Sequence, residues 1–183
     1  QPRWSHNAHR IPDYYYGIQL NSNYRAFDLS LFFNGVGGVQ KYNAVAQRLS
    51  NVSGGGGNKT VSVLDRWSES NPNSSNPRAI VNDPNGNDRF SSRWVEDANY
   101  FRLKNIQLGY TLPVGVLGLK NGTRVYVSGT NVFTKTPYSG LDPEFSTAID
   151  FSRSQNAVQQ QAATDNGFIP QPRTFQFGVR TTF

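Results

Sequence analysis

Two histidines, His6 and His9, stand three residues apart near the start of the chain. On a helix that spacing puts both rings on one face, where they could share a metal ion. Pro12 lies close by and no third ligand accompanies them, so the residues favour a solvated segment. The run SGGGGNKT at 53–60 has the glycines and lysine of a phosphate-binding loop. That loop needs glycine directly before the lysine, and Asn58 stands there, so a loop tip fits better. DPNGND at 83–88 gathers Asp83, Asn85, Asn87 and Asp88 like the start of a calcium loop. Its glycine comes fourth instead of sixth, and Trp94 holds the twelfth position in place of glutamate. A turn built by Asp-Pro and Asn-Gly is the expectation, with calcium near Asp83 left open. No G-x-S-x-G and no paired-carboxylate signature is present, so nothing anchors an enzyme, a catalytic residue, a resident metal or a cofactor.

Binding chemistry has a better case. Trp67, Trp94 and Tyr138 fall in long polar segments, and flat rings of this kind stack on sugar or peptide groups. The alternative use is packing, loop against loop or against a covering partner. The segment 41–50, with Tyr42, Val45, Ala46 and Leu49 at helical spacing, predicts a short helix packed within its loop. Net charge is +6, but the 18 Lys and Arg are scattered without a basic run or face, which argues against nucleic acid. The absence of cysteine removes disulfides and thiolate metal sites.

Five segments read as the strands that would position these loops. Residues 14–24 put Tyr16, Ile18, Leu20 and Tyr24 on one parity; 27–36 put Phe27, Leu29, Leu31 and Phe33 opposite Asp28, Ser30 and Asn34. Only Arg25 and Ala26 separate the two, as in a tight hairpin. In 101–112, Ile106, Leu108, Tyr110 and Leu112 share a parity that Phe101 and Leu103 break, so a bulge is expected near Lys104–Asn105. Strand 123–133 has two faces of similar polarity, and which one is apolar stays open. Residues 173–183 alternate again, with Phe175, Phe177, Val179 and Phe183 on one side and Arg180 on the other.

The connections alternate in length: two residues, roughly 37–99, then 113–122, then roughly 135–172. In an antiparallel meander this puts every long loop on one side of the sheet and every short turn on the other. That asymmetry is the mark of transmembrane β-barrels. Eleven residues at about 3.3 Å each, tilted by about 45°, rise about 25 Å, the height of the apolar band of such a barrel. Five strands do not close, and open edges in lipid leave backbone groups unsatisfied. The fold class expected is therefore all-β: about five strands of a larger antiparallel transmembrane barrel. A soluble β-sandwich module would share the alternation but would not need its long loops on one side. The start QPRWSHNAHR lacks a signal-peptide pattern and reads as part of a mature or excised segment.

The stretch YFRLKNIQLGYTLP at 100–113 resembles the C-terminal region of the SusC/RagA family of TonB-dependent outer-membrane transporters from Bacteroidota. DRWSESNPNSSNPRA at 65–79, RVYVSGTNVFTKTPYSGLDPE at 124–144, IPQPRTFQFGVRTTF at 169–183 and, more loosely, YRAFDLSLFFNGVGG at 24–38 resemble the same family in the same order. The resemblance implies that residues 1–183 are the C-terminal segment of a plugged barrel of about 22 strands. The plug domain and TonB box are absent from this chain. It implies TonB-coupled import of large nutrients, oligosaccharide or peptide, beneath a SusD-like surface lipoprotein. The partners implied are the rest of the barrel with its plug, that lipoprotein, the TonB complex and outer-membrane lipid. Long loops are expected outside the cell, with short turns and the C-terminus in the periplasm and Arg180 facing the lumen. Phe175, Phe177, Val179 and Phe183 would serve as the barrel-assembly signal. A scaffold barrel that has lost import is the second reading.

Overall fold

The computed structural model describes residues 11–53, 57–113, 115, 122–145 and 163–181; His6, His9, Phe183 and the middle of the glycine run lie outside them. In chain order the elements are β1 (Tyr14–Tyr24), β2 (Phe27–Gly37), β3 (Gln40–Asn43), α1 (Ala44–Ser50), β4 (Val95–Asp97), β5 (Tyr100–Thr111), β6 (Arg124–Lys135), β7 (Thr164–Asp165) and β8 (Thr174–Arg180), with short 3-10 turns at Val61–Asp65 and Ser92–Trp94. The chain forms two compact units. A sheet unit holds Pro12–Val39, Ala98–Tyr138 and Pro170–Phe183; a loop unit holds Gln1–Ile11, Gln40–Asp97 and Ser139–Ile169.

The sheet unit is one antiparallel sheet in the order β1-β2-β5-β6-β8. The expected hairpin is present, with Arg25 in the left-handed region (φ 54°) so that Tyr24 and Phe27 pair directly. The expected bulge is present too. The register of β5 slips at Lys104 against both neighbours, leaving Leu103 opposite Phe33 on one side and Phe133 on the other. One inserted residue thus returns Phe101 and Leu103 to the face of Ile106 and Leu108. On β6 the register settles the open question. Val125 and Val127 pair with Tyr110 and Leu108, which puts them on the apolar face; Arg124, Tyr126 and Ser128 take the other.

Carried across all five strands, that face is predominantly apolar, with Ser22 within it and Lys135 at its end. Its middle is Ile18, Leu20, Leu29, Leu31, Ile106, Leu108, Val125 and Val127, with Phe175, Phe177 and Val179 on β8. Its two ends are aromatic. At the short-turn end Tyr24, Phe27 and Tyr110 gather, the last two with ring centres 4.6 Å apart. At the other end Tyr14, Tyr16, Phe33 and Phe101 gather, with Phe33 and Phe101 stacked at 5.2 Å. Phe177 is 76% exposed and Leu20 54%. An aliphatic band between two aromatic girdles is the outer surface of a membrane barrel, whose rings sit at the headgroup level.

The opposite face is polar: Asn21, Asp28, Ser30, Asn34, Gln107, Ser128, Thr130, Gln176 and Arg180 share it. There Arg124 reaches over Gly109 to Asp28, its Nε 2.8 Å from Oδ1 in a forked pair. A side chain at 109 would collide with both groups, its Cβ 2.4 Å from each.

Val36 pairs with Tyr100, and Phe101 with Lys135, so both long segments leave and re-enter at one end of the sheet. The turn at Arg25 and Ala26 lies at the other end, as do Leu112 and Thr123, joined by a backbone hydrogen bond of 2.8 Å. Among the described residues no helix is long and apolar enough to cross a membrane, and the strands are the elements with the length and face to do so.

Candidate functional site

The loop unit is organised by elements too short to announce themselves. β3 pairs antiparallel with β4 and parallel with β7, although the three come from distant parts of the sequence. The helix expected over 41–50 begins later, at Ala44, because Asn43 caps it: its Oδ1 accepts from the Ala46 amide at 2.8 Å. Lys41 and Tyr42, expected in the helix, lie in the strand before it.

Asn43, itself buried, is also the hub of a clamp. It is 2% exposed, and its Nδ2 donates to Glu96 Oε1 at 3.0 Å and to Ser139 Oγ at 3.1 Å. Ser139 in turn donates its amide and hydroxyl to the two oxygens of Glu96, both at 2.8 Å. Tyr42 of β3 is buried and stacked on Phe90 at 4.1 Å, with its hydroxyl donating to Gln47 at 2.7 Å. Burial and the Asp88 charge push that phenol up to about 12.

Lys41 holds the Leu141-Asp142-Pro143-Glu144 loop. Its ammonium donates to the Pro143 carbonyl at 2.9 Å and lies 3.6 Å from the centre of the Phe145 ring. Burial pushes its pKa down to about 8 from 10.5, against the pull of Asp165, Asp142 and Glu144. Between about 8 and 10.5 the unfolded chain therefore holds more protons here than the folded one, so stability rises with pH through that window and falls as pH drops through 8. In the intact protein, amide-exchange protection of β3 and residues 141–145, corrected for intrinsic rate, is expected to rise from pH 8 to pH 10. Lys41→Met should flatten that rise; a wild-type profile already flat would refute the account.

A cleft of about 320 Å³ opens elsewhere in this unit, lined by Trp67, Asn76, Arg78, Asn85, Asn87 and Arg93 with neighbouring serines, prolines, Ile80 and Asp83. The turn that shapes one wall requires left-handed backbone at Asn82 (φ 66°) and Asp83 (φ 42°). Asp83 fastens that turn: its Oδ2 accepts from the Asp88 amide at 2.7 Å, and its carbonyl accepts from the Gly86 amide at 2.8 Å. The Asp88 amide, with that of Asn87, holds its carboxyl below the usual range. The DPNGND run is thus a turn closed by its own aspartate, and no cluster of three metal-ligating side chains occurs among the described residues.

Arg78 lies over the Trp67 ring (5.8 Å) and Arg93 over the Trp94 ring (4.9 Å), while Arg93 also donates to Asn76. Trp94 lines a smaller hollow with Asn87, Asp88 and Arg93, its Nε1 buried there without an acceptor among the described residues. Trp67 and Trp94 therefore line hollows of the loop unit. Tyr138 belongs to the sheet unit and is 5% exposed, its amide donating to Thr136. The two arginines were not singled out from sequence, because eighteen cations spread along a chain do not show which of them converge.

No protein-family model matches the chain. It is 36% identical over 175 residues to TonB-dependent receptor P3 of Formosa agariphila and 35% identical over 176 residues to receptor P26 of the same organism, each match covering 94% of the chain. The chain spans only 16% and 17% of the lengths of those relatives. Among solved structures it resembles the RagAB peptide importer in its closed-closed state, with TM-score 0.74 and 24% identity over 93% of the chain. It likewise resembles the RagAB peptide transporter, with TM-score 0.68 and 25% identity over 89%. It covers 17% and 16% of those chains, and the likeness shows a shared barrel fold.

Proposed function

The chain is a SusC/RagA-type segment of a TonB-dependent receptor barrel, and from that premise we propose that it forms wall and outer loops of an outer-membrane importer of large nutrients. The observation that carries this reading is the two-faced sheet, with an aliphatic band between aromatic girdles on one side and a polar row on the other. The apolar face meets lipid and the polar face lines the lumen, Arg180 included. The rest of the barrel closes both open edges. The long loops lie on the extracellular side, where Trp67 and Trp94 contact cargo, oligosaccharide or peptide, while Tyr138, buried in the sheet unit, packs there. A SusD-like surface lipoprotein covers the mouth. Parts of the receptor outside this chain hold the plug and couple it to TonB. Phe175, Phe177 and Val179, with Phe183, act as a signal in barrel assembly.

No residue here does covalent chemistry in this scheme; capture is followed by energised displacement of the plug. The test uses the full-length receptor in its host. Removing its TonB-contacting segment should leave surface abundance and cargo binding intact and abolish uptake of labelled cargo. Uptake at the wild-type rate without that segment would overturn coupled import, while cargo binding with no uptake even in wild type would favour a scaffold barrel.

A further inference from the structure

The cleft of the loop unit has a chemistry narrower than nutrient capture in general. Two guanidiniums, Arg78 and Arg93, stand exposed on it, and among the described residues neither is paired with a carboxylate. Arg93 spends one donor on Asn76; Arg78 makes no hydrogen bond among the described residues, only its approach to Trp67. Each guanidinium carries five donors in a planar fork, so most of that capacity is unused. The one carboxylate of the lining, Asp83, is turned to the amides of its own turn. Around the cations stand Trp67 and the side-chain amide of Asn85, which both donates and accepts; the Asn87 amide is bonded to Asp83, and the Asn76 amide is spent on Arg93 and on the Ser62 and Asp65 carbonyls.

We propose that this cleft, lined by Trp67, Asn76, Arg78, Asn85, Asn87 and Arg93, binds acidic saccharides, sugars whose rings carry carboxylate or sulfate groups. The inference rests on the reading of the chain as part of an importer and names the cargo class of its loop unit. Guanidiniums receive planar or tetrahedral oxyanions by paired hydrogen bonds. An asparagine amide matches ring hydroxyls, and an indole offers a face to the sugar's C–H side. An extended peptide would be recognised through a free strand edge and apolar side-chain pockets. Beside Trp67, the apolar lining here is Ile80 and two prolines.

The test titrates the full-length receptor in detergent by calorimetry with four probes: a galacturonate hexasaccharide, a sulfated galactose hexasaccharide, the carboxyl-reduced neutral hexasaccharide and a hexaglutamate peptide. One or both acidic sugars should bind, and which one binds tells carboxylate from sulfate. Arg78→Gln together with Arg93→Gln should weaken that binding about tenfold, with the folded barrel unchanged in its heat-modifiable gel mobility, because charge-assisted bonds are lost. The neutral sugar should bind no better than the acidic one binds the double variant. Binding of neither acidic sugar, equal binding by the double variant, or hexaglutamate binding as tightly with the same arginine dependence would overturn the proposal. Failure of the import reading looks different: an acidic sugar that binds through these arginines but never enters cells refutes import and leaves the site standing. Energised uptake of another cargo, with no acidic-sugar binding, refutes the site and leaves import standing.

Discussion

Replacing Gly35 by valine in the full-length receptor is expected to abolish the heat-modifiable folded form and reduce outer-membrane abundance to near background. Gly35 sits on the apolar face of β2 opposite Tyr16, at the end of the sheet from which the long segments leave. Tyr16 folds across it and donates its hydroxyl to the Tyr100 carbonyl at 3.1 Å. A Cβ at 35 would lie 2.3 Å from that hydroxyl and 2.3 Å from the same carbonyl oxygen. The tyrosine could swing away, at the loss of its hydrogen bond; the carbonyl is backbone and cannot. Overpacking of this kind costs about 3 kcal/mol, and the lost hydrogen bond about 1 kcal/mol more. Relief by sliding β2 one residue along β5 is barred, because a one-residue slip would turn Leu29, Leu31 and Phe33 to the polar side. Gly17 on β1 supplies the control. A Cβ there meets the Phe32 ring at 3.4 Å, an ordinary contact, so Gly17→Ala should assemble like wild type. A folded fraction for Gly35→Val equal to that of Gly17→Ala would remove the argument from close approach.

The residues that made the sheet readable are those whose alternation spans enough positions to be counted. Tyr16 to Tyr24 and Phe27 to Phe33 repeat at a period of two over a whole strand, and the hairpin followed from the two residues between them. Even the bulge at Lys104 showed as a break in parity before Ile106. β6 resisted because Tyr126, an aromatic residue, lies on the polar face, where it packs across Gly178 and beneath the Arg124 guanidinium at 5.0 Å. Composition could not rank the two faces of that strand; pairing with Leu108 and Tyr110 did. The loop unit was opaque for a related reason. β3, β4 and β7 have four, three and two residues, too few to carry a period, and their partners are separated by tens of residues. Trp67 and Trp94 were visible as loop aromatics. Their arginine neighbours were not, since bringing Arg78 and Arg93 to one cleft depends on turns such as the left-handed pair Asn82 and Asp83.

Asn43→Ala should open the loop unit while leaving the barrel assembled. The side chain does two jobs: its oxygen caps α1, and its amide nitrogen ties β3 to Glu96 and Ser139. Losing the cap costs about 1 kcal/mol. Losing a half-buried hydrogen bond to a carboxylate, with a second to a hydroxyl, costs about 2 kcal/mol more, since Glu96 and Ser139 are left to each other. A total of about 3 kcal/mol corresponds to a fall of about a hundredfold in amide-exchange protection. That fall should appear in β3, α1 and β4, measured on the intact receptor. None of the clamp's residues belongs to the sheet unit, so protection of β2, β5 and β6 and the heat-modifiable gel shift should stay at wild-type values. Asn43→Ser separates the two jobs. A serine keeps a capping oxygen but is too short to reach Glu96, so α1 should regain about 1 kcal/mol of protection while β4 remains as exposed as in the alanine variant. If β4 recovered along with α1, the cap alone would account for the loss and the three-way clamp would be wrong. If alanine at 43 instead lowered protection throughout β5 and β6, the loop unit would be a condition for the barrel's stability and not a separately folding part.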